Sequence, residues 1–464
     1  MNHWLYTQAK NRPHHTAIRT GSGELSFCEL YERAAKVRNH ISLLDMPYRI
    51  AIQPKNHLSS VIILHGLILA GREIVTVNTH LTETEVIKQL SSIQVDVLIT
   101  DSIYGNINCI SPESLLNDSE GQGAEDTTFE PEDVLSIMFT SGTTGVQKAV
   151  PQTYSNHFAS AERCKQAFPY DTDSKWLLCL PLYHISAFSI LLRSVIEGFT
   201  IVLFEKFEEA AIMTSIKEQG ITHISLVPQT LEWLLDAGLE RHELQGLLIG
   251  GAKMDERTLE KSLERHLPIY TSFGMTETCS QFITATPEDI EKYPNSVGRV
   301  TADIKVAAPL NGAGEILVRG DNVMNGYLYP AEANAISFTD GFFMTGDIGR
   351  ISNGYLYVLD RRRDLIISGG ENIYPSEIEQ VVLALPEITA CAVVPVDDEK
   401  WGQRPALIYE AAEDLEEQIN TLIDDSIAKY KHPVIIKRTA HIERTSNGKI
   451  SRHRVKEWLM NEVQ

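Results

Sequence analysis

Four hydroxyl side chains, two glycines and a lysine stand together in residues 140–148, which read Thr-Ser-Gly-Thr-Thr-Gly-Val-Gln-Lys. The segment follows the mostly apolar run 134–139, so it lies where a buried strand is expected to end. Glycines let the main chain approach a ligand, hydroxyls donate hydrogen bonds to phosphate oxygens, and lysine adds a full positive charge. The segment therefore predicts a loop that binds a polyphosphate, in preference to a polar turn that is glycine-rich by chance.

This loop is not a Walker phosphate loop, because Gln147 stands where that motif requires glycine and Ala149 follows Lys148. The residues predicted to contact phosphate are Thr140, Ser141, Gly142, Thr143, Thr144, Gly145 and Lys148.

The elements that must position this loop alternate between short apolar runs and helical patterns from about residue 133 to 273. The predicted strands are 176–180, 200–204, 223–227, 247–249 and 269–272, and the predicted helices are 184–197, 208–219, 229–237 and 255–266. Such alternation predicts an α/β fold with parallel sheet covered by helices on both faces. Ligands of these sheets gather at the carboxyl ends of the strands.

The pattern changes twice towards the C-terminus. Short strands and glycine turns at about 296–360 predict a small barrel-like β subdomain within a large N-terminal domain, 1–360. The remaining residues, 361–464, are enough for a small, separate α+β domain. Its predicted elements are helix 375–385, strands 390–396 and 406–409, and helix 414–428.

Composition limits the partners and the compartment. The net charge of −21 disfavours nucleic acid and anionic membranes as partners, since both reward clustered basic residues. No secretory signal is visible at the start, and the longest apolar stretch, 61–70, is too short to span a bilayer. Six widely spaced cysteines without a Cys-x-x-Cys pair fit reduced thiols in a cytoplasm. A homo-oligomer is left open.

Further motifs follow the first loop in a fixed order. They are Pro-Leu-Tyr-His at 181–184, Gly-Gly-Ala at 250–252, Ser-Phe-Gly-Met-Thr-Glu at 272–277, Thr-Gly-Asp at 345–347, Asp-Arg at 360–361, Ser-Gly-Gly-Glu-Asn at 368–372 and Thr-Ser-Asn-Gly-Lys at 445–449. Together they resemble the adenylate-forming superfamily, which contains acyl-CoA synthetases, luciferases and the adenylation domains of peptide synthetases. The resemblance spans residues 139–450. It implies ATP, Mg²⁺ and coenzyme A as ligands, and a mobile C-terminal domain.

The resemblance implies that a carboxylate attacks the α-phosphorus of ATP, so two anions must meet and charge neutralisation is the main task. Glu277 is suited to hold Mg²⁺, which commonly sits between one protein carboxylate and substrate phosphates. Thr276 can donate a hydrogen bond to an α-phosphate oxygen.

The remaining nucleotide contacts are expected around the ribose and the adenine. Asp347 can accept hydrogen bonds from both ribose hydroxyls, and Arg361 can brace the same sugar. Phe273 replaces the more common tyrosine and is expected to stack on adenine. The other residues expected to line the nucleotide site are Gly250, Gly251, Ala252, Ser272 and Gly274.

The family's second step implies a rotation of the C-terminal domain, with the pivot at Arg363, that withdraws Lys449 and admits coenzyme A. Gly369 and Gly370 would line the route of the pantetheine arm, and Lys431 could approach the nucleotide end of coenzyme A.

Three segments, 152–157, 276–281 and 364–375, look most like the acid:CoA ligases that act on o-succinylbenzoate in bacterial menaquinone biosynthesis. His184, placed with the catalytic candidates, and Ser280 are expected walls of the acid pocket. A ligase for a fatty or simple aryl acid, a catalytically silent nucleotide-binding relative and a carrier-loading enzyme are the alternatives.

Lys449 is expected to bridge the attacking carboxylate and the α-phosphate. We expect Lys449→Ala to slow acyl-adenylate formation by about 10²- to 10³-fold, the usual cost of removing one preorganised donor. Thioester formation from supplied acyl-adenylate should be affected far less. Single-turnover assays of each half-reaction measure the difference, and equal losses in both would remove Lys449 from the first step.

Overall fold

The computed structural model describes residues 1–117, 128–141, 147–251, 254, 256–310, 313–360, 366–373, 375–442, 450 and 452–462. The helices are α1 Trp4–Asn11, α2 Phe27–Leu43, α3 Leu58–Leu69, α4 Glu83–Ser92, α5 Pro112–Leu116, α6 Tyr154–Ala167, α7 Ile185–Glu197, α8 Glu209–Glu218, α9 Pro228–Asp236, α10 Glu256–Glu264, α11 Pro287–Lys292, α12 Pro375–Val382, α13 Glu416–Ser426 and α14 Arg452–Glu462.

The strands up to the middle of the chain are β1 Thr16–Thr20, β2 Gly23–Ser26, β3 Arg49–Ile52, β4 Glu73–Thr76, β5 Val97–Ile99, β6 Asn108–Ile110, β7 Val134–Ser141, β8 Gln147–Thr153, β9 Lys175–Leu178, β10 Thr200–Leu203, β11 His223–Leu226 and β12 Gly246–Ile249. The later strands are β13 Ile269–Met275, β14 Ser280–Ala285, β15 Ile304–Leu310, β16 Ala313–Val318, β17 Phe338–Thr339, β18 Phe342–Ser352, β19 Tyr355–Asp360, β20 Ile366–Ser368, β21 Glu371–Ile373, β22 Ala390–Asp398, β23 Gly402–Glu410 and β24 Ile435–Thr439.

An eight-stranded sheet has the order β14-β13-β12-β11-β9-β10-β1-β2. Its strands from β13 to β1 run parallel, and β14 and β2 add antiparallel edges. The predicted α/β alternation is confirmed, and the predicted strands and helices match β9 to β13 and α7 to α10 within a few residues. The parallel register of β12 and β13 pairs Ile249 with Thr271, so the turn that follows β12 lies beside Ser272 within β13.

Two further sheets complete this part of the chain. A six-stranded sheet has the order β6-β5-β3-β4-β7-β8, and β4 pairs in parallel with β7, the strand before the hydroxyl-rich loop. The predicted barrel-like region is an antiparallel sheet of β15, β16, β18 and β17, with β19 paired to β18. Its long strand β18 carries the Thr-Gly-Asp motif.

The C-terminal residues form their own sheet, with order β21-β20-β23-β22 and β24 paired in parallel with β23. Strands β22 and β23 are antiparallel and register Ala390 with Glu410 at one end and Asp398 with Gly402 at the other. Helices α12 and α13 bury Ile378, Val382, Ile419 and Ile423 in the core on this sheet. The predicted α+β character of this domain is therefore confirmed.

The chain divides into two compact units. One contains Met1–Thr79, Leu90–Phe139 and Ala149–Leu359, and the other contains His80–Gln89, Thr140–Lys148 and Asp360–Gln464. The main division between these units falls beside residue 360, and two short segments from earlier in the chain join the second unit. The predicted domains, 1–360 and 361–464, stay a prediction. Within the described residues, no helix has both the length and the apolar character needed to cross a bilayer.

Helices α2 and α3 show how the sequence determines this core. Helix α2 begins with a capping box in which Ser26 accepts from the Glu29 amide, and its buried face includes Val37. Gly66 of α3 packs against that face, because a Cβ atom at residue 66 would lie 2.5 Å from Val37 Cγ1. A methyl group has no room at this helix contact.

We expect Gly66→Ala to lower the free energy of unfolding by about 1–3 kcal/mol, the usual cost of overpacking a core. Gly21→Ala is the matched control, because a Cβ atom at residue 21 meets nothing within 4 Å. Chemical denaturation followed by circular dichroism measures both variants. Equal stability of Gly66→Ala and the parent chain would contradict this packing.

Candidate functional site

The Thr276-Glu277 pair of the motif at 272–277 lies in the turn of a β-hairpin. Strand β13 ends at Met275, residues Thr276–Thr278 form one 3₁₀ turn, and β14 begins at Ser280. The Thr278 hydroxyl accepts a hydrogen bond from the Met275 amide at 3.0 Å, which closes the turn. Local sequence therefore places Thr276 and Glu277 at the tip of a sheet edge.

Every carbonyl of this turn accepts a hydrogen bond, and the four donors come from three other segments of the chain. The donors are Gln152 Nε2 to Thr276 O at 2.7 Å, the Met324 amide to Glu277 O at 2.9 Å, Asn322 Nδ2 to Thr278 O at 2.9 Å and Ser160 Oγ to Cys279 O. Buried main-chain acceptors need partners, and here the partners also fix the position of each residue. The turn is therefore held from β8, α6 and the segment before β17.

The backbone of the turn adopts conformations that side chains rarely favour. Cys279 and Ser280 have positive φ angles of 54° and 92°. Such residues cost free energy and persist where surrounding contacts impose them. Gly274 is required for a different reason, because a Cβ atom there would lie 2.1 Å from the Ser280 carbonyl oxygen.

Glu277 and Thr276 present different faces of the turn. The Glu277 carboxylate is buried, with 6% of the residue exposed, and its Oε1 atom accepts a hydrogen bond from the Tyr327 hydroxyl at 2.9 Å. Thr276 is only partly buried. The tyrosine hydroxyl therefore fixes the orientation of the Glu277 carboxylate.

Tyr327 is itself fixed through its backbone. The Asn334 side chain accepts from the Tyr327 amide at 2.7 Å and donates to the Tyr327 carbonyl at 3.0 Å. The Tyr327 ring packs in the core that includes Phe343 and Ile316. The orientation of the Glu277 carboxylate therefore depends on residues about 50 positions away in the chain.

The surroundings of Glu277 fit a bound cation. Among the residues that the structure describes, no lysine, arginine or histidine forms an ion pair with Glu277. A buried carboxylate without a counterion is costly, so a cationic ligand would stabilise it. The described residues contain no cluster of three or more His, Cys, Asp or Glu suited to a metal. One carboxylate is what Mg²⁺ needs when phosphates supply further ligands.

Asp347 lies on β18, where a second set of contacts shapes the main chain. Glu315 Oε1 accepts from the Gly346 amide at 2.7 Å, and Gly346 has a φ of 73°. The Thr345 hydroxyl accepts from the Asp347 amide at 3.1 Å and donates to Ile316 O at 2.7 Å. Asp347 is 6% exposed. The ribose contact predicted for Asp347 stays a prediction.

Gly250, which follows β12, lies next to Ser272 within β13. A Cβ atom at residue 250 would lie 2.9 Å from Ser272 Oγ, and that hydroxyl donates to Ile249 O at 3.2 Å. Gly251 follows with a φ of 86° and is exposed. The two predicted nucleotide-site segments are thus brought together, because β12 and β13 are parallel neighbours in the sheet.

Phe273 is a buried residue of β13. Its side chain is 3% exposed and packs in a core with Val150, Phe282 and Ile316. This burial does not favour the predicted stacking of Phe273 on adenine, which stays a prediction. The physical reason for the burial is the alternation of a strand, which turns Phe273 inward and Ser272 outward.

His184 precedes α7 and is partly buried. It occupies the position before the first helical residue, but its side chain makes no capping hydrogen bond. The preceding turn is fixed by Asn56, whose side chain donates to Leu180 O at 2.8 Å and accepts from the Leu182 amide at 3.0 Å. His184 is therefore positioned by its backbone, and its pocket role stays a prediction.

Helix α7 also contacts the hairpin. The Ser189 hydroxyl on α7 donates to Ser280 Oγ at 3.2 Å. This bond brings the start of β14 next to the helix that His184 precedes, which supports a common pocket wall for His184 and Ser280.

The second unit contains the weaker predicted sites. Gly369 has a φ of 58°, and a Cβ atom there would lie 2.6 Å from the Trp401 ring. Gly370 follows with a φ of 87°. The glycine turn is therefore packed under an indole.

Lys431 is 3% exposed, and its Nζ atom lies 2.7 Å from Glu85 Oε1 and 2.8 Å from Glu377 Oε1. Burial alone would lower the pKa of Lys431, but the two carboxylates outweigh burial and raise it. The ammonium is thus occupied by protein carboxylates, which does not favour the predicted contact of Lys431 with coenzyme A.

Some of the remaining predicted residues lie in the part of the chain that the structure describes, and others do not. Thr140 and Ser141 end β7, and Lys148 lies on β8. Gly142, Thr143, Thr144, Gly145, Ala252, Arg361, the proposed pivot Arg363 and Lys449 lie outside the described residues.

Sequence reasoning missed the residues that position the site. Tyr327, Asn322, Glu315 and Gln152 act through contacts with segments far away in the chain. One available signal was the polar Gln152 directly after the apolar residues 149–151, and another was the Asn-Gly-Tyr sequence at 325–327.

Comparisons with known proteins identify the family of this chain. The AMP-binding enzyme family matches residues 5–328, and the AMP-binding enzyme C-terminal domain matches residues 377–449. A 2-succinylbenzoate–CoA ligase of Staphylococcus aureus is 41% identical to this chain, over 98% of this chain and 99% of the relative.

Solved structures are also similar. A double mutant of o-succinylbenzoate CoA synthetase from Bacillus subtilis, bound to a product analogue, has a TM-score of 0.93 and 32% identity, with 98% of each chain covered. The Bacillus subtilis enzyme in complex with ATP and magnesium has a TM-score of 0.76 and 32% identity, covering 98% of this chain and 99% of the other. The family match over most of the chain and the full-length relatives lead to one conclusion: the chain belongs to the AMP-binding enzyme family.

Proposed function

We propose that this chain is an AMP-forming acid:CoA ligase that converts o-succinylbenzoate to o-succinylbenzoyl-CoA in menaquinone biosynthesis, using ATP, Mg²⁺ and coenzyme A. Full-length similarity to 2-succinylbenzoate–CoA ligases supports the acid and the product. The single structural observation that carries the proposal is the buried Glu277 carboxylate, oriented by Tyr327 and adjacent to Thr276.

In the first step, a carboxylate oxygen of the acid forms a bond to the α-phosphorus of ATP, and the bond to the β-phosphate oxygen breaks. The Thr276 hydroxyl donates to an α-phosphate oxygen, and Glu277 offers its second oxygen to the cation. Bound Mg²⁺ would neutralise phosphate charge as the pyrophosphate leaves. Lys449 approaches both reacting groups, and Asp347 with Arg361 bind the ribose.

In the second step, the sulfur of coenzyme A bonds to the acyl carbon, and the bond to the AMP oxygen breaks. The thiol proton leaves to solvent, and AMP is released. His184, Ser280 and the α7 wall enclose the acid, and Gly369 with Gly370 line the thiol route. The turn at 276–279 keeps its contacts throughout, because its donors belong to the same unit.

The proposal includes a cytoplasmic enzyme without a nucleic-acid partner. The net charge of −21 disfavours binding to polyanions. The six cysteines are free thiols in the structure, as is usual in a reducing compartment.

The acid is tested by pyrophosphate release with a panel of carboxylic acids, each measured with and without coenzyme A. We expect o-succinylbenzoate to give the highest kcat/KM, and a fatty or simple aryl acid to give far less. Thioester should appear only when coenzyme A is present. Preference for a fatty or simple aryl acid would change the assigned substrate. ATP binding without acid-dependent pyrophosphate release would show that the protein is a catalytically silent nucleotide-binding relative.

We expect Glu277→Gln to lower kcat for acyl-adenylate formation by about 10²- to 10³-fold, because the preorganised charge that holds the cation is lost. Glu291→Gln is the matched control, since Glu291 is exposed on the surface. Pyrophosphate release under saturating acid and ATP measures both variants. Wild-type kcat in Glu277→Gln would rule out the carboxylate as the cation ligand.

We expect Tyr327→Phe to raise the Mg²⁺ concentration needed for half-maximal rate by about tenfold, because a hydrogen bond to a charged group contributes about 1.5–3 kcal/mol. The maximal rate should recover at high Mg²⁺. Tyr355→Phe is the control, because it removes a similar hydroxyl bond to Asp289 of 2.7 Å elsewhere. An unchanged Mg²⁺ titration would contradict the orienting role of Tyr327.

A further inference from the structure

Four buried side chains form a continuous hydrogen-bonded path that begins and ends on the 276–279 turn. Cys279 Sγ lies 3.4 Å from His157 Nδ1, and His157 Nε2 lies 2.8 Å from Ser136 Oγ. Ser136 Oγ lies 2.7 Å from Gln152 Oε1, and Gln152 Nε2 lies 2.7 Å from Thr276 O. The path joins β7, β8, α6 and the turn within one unit of the chain.

The direction of every bond in this path is determined by chemistry. The Thr276 carbonyl only accepts, so the Gln152 amide nitrogen faces it and the Gln152 amide oxygen faces Ser136. That oxygen cannot donate, so the single hydroxyl proton of Ser136 goes to it. His157 must then donate from Nε2 to Ser136. Its Nδ1 atom is left as an acceptor for the Cys279 thiol, provided the imidazole is neutral.

The environment keeps the imidazole neutral. His157 is 3% exposed, and burial, together with the charge of Arg193, lowers its pKa to about 3. Arg193 on α7 is 2% exposed and is the charged group that faces both His157 and Cys279. Burial also raises the pKa of the Cys279 thiol, so the sulfur keeps the proton that it donates.

We propose that His157, Ser136 and Gln152 are positioning residues for Thr276 and Glu277, acting through a one-way hydrogen-bonded chain that closes on both ends of their turn. The catalytic part of this inference, that the hydrogen-bonded path contributes to a reaction, rests on the proposed function. None of the three touches substrate; each holds the turn. Because a misplacement of about 1 Å at a reacting group can cost about 10²-fold in rate, a turn fixed at both ends has catalytic value.

The first test is spectroscopic and needs no substrate. In the full chain labelled with ¹⁵N-histidine, two-bond ¹H–¹⁵N correlation spectra report which ring nitrogen carries the proton, with His157→Gln used to assign the signal. We expect His157 as the neutral tautomer protonated on Nε2 throughout pH 6–8. A ring protonated on Nδ1, or on both nitrogens at pH 7, would overturn the chain of bonds.

The second test reverses one bond without changing side-chain size. Gln152→Glu keeps the acceptor for Ser136 but places an oxygen against the Thr276 carbonyl. We expect kcat for acyl-adenylate formation to fall by about 10²-fold, with KM for the acid close to that of the parent. Gln8→Glu is the matched control, because Gln8 is also buried and donates to a backbone carbonyl, Ile196 O, at 3.1 Å. It should lower thermal stability and leave kcat unchanged.

The third test is rescue at residue 157. Glutamine places an amide near the position of Nε2 and can still donate to Ser136, whereas leucine cannot. We expect His157→Leu to lose kcat to the same extent as Gln152→Glu, and His157→Gln to recover most of it. Equal rates for leucine, glutamine and histidine would overturn the proposal. If the parent chain releases no pyrophosphate with any acid, the proposed function fails, and the tautomer measurement still decides whether the chain of bonds exists.

Discussion

The position of one short turn depends on its buried carbonyl groups. Each carbonyl from Thr276 to Cys279 accepts a hydrogen bond, and the donors come from three separate segments of the chain. A buried carbonyl without a donor is costly, so the donors and the turn stabilise each other's position. The left-handed backbone of Cys279 and Ser280 is the conformational cost of this arrangement. These contacts fix the backbone that carries the Thr276 hydroxyl and the Glu277 carboxylate.

The rest of the large unit can be understood as the support for these donors. Ser136 and Gln152 lie on neighbouring strands of the six-stranded sheet, whereas the turn itself closes an edge of the eight-stranded sheet. Helix α6 carries His157 and Ser160 between them. The antiparallel sheet contributes Asp347 on β18, and the core around Phe343 and Ile316 fixes Tyr327. Packing therefore determines electrostatics here: apolar cores immobilise the few polar groups that orient Glu277.

Local patterns predicted much of this structure, and contacts between distant segments account for what they missed. The strands and helices from Lys175 to Met275 follow from apolar periodicity, which is a local property, and the motif turns follow from glycine and hydroxyl residues. The orientation of Phe273 does not, because one step along a strand reverses the face to which a side chain points. Tyr327 and Gln152 act on residues 50 and 124 positions away, so a single sequence gives little indication of their partners. Lys431 resembles a surface lysine in the sequence, but in the structure it pairs with the buried Glu85 and the partly buried Glu377.

The thiols of this chain differ in their accessibility, and this difference has a practical consequence. Cys164, Cys179, Cys279 and Cys391 are buried, whereas Cys28 and Cys109 are partly exposed. Alkylating reagents need access to the sulfur, and the Cys279 thiol that belongs to the turn is buried. A maleimide dye added to the folded protein should therefore label Cys28 and Cys109 first. Fluorescent reporters of ligand binding can then be attached to the natural sequence while Cys279 in the turn stays unmodified.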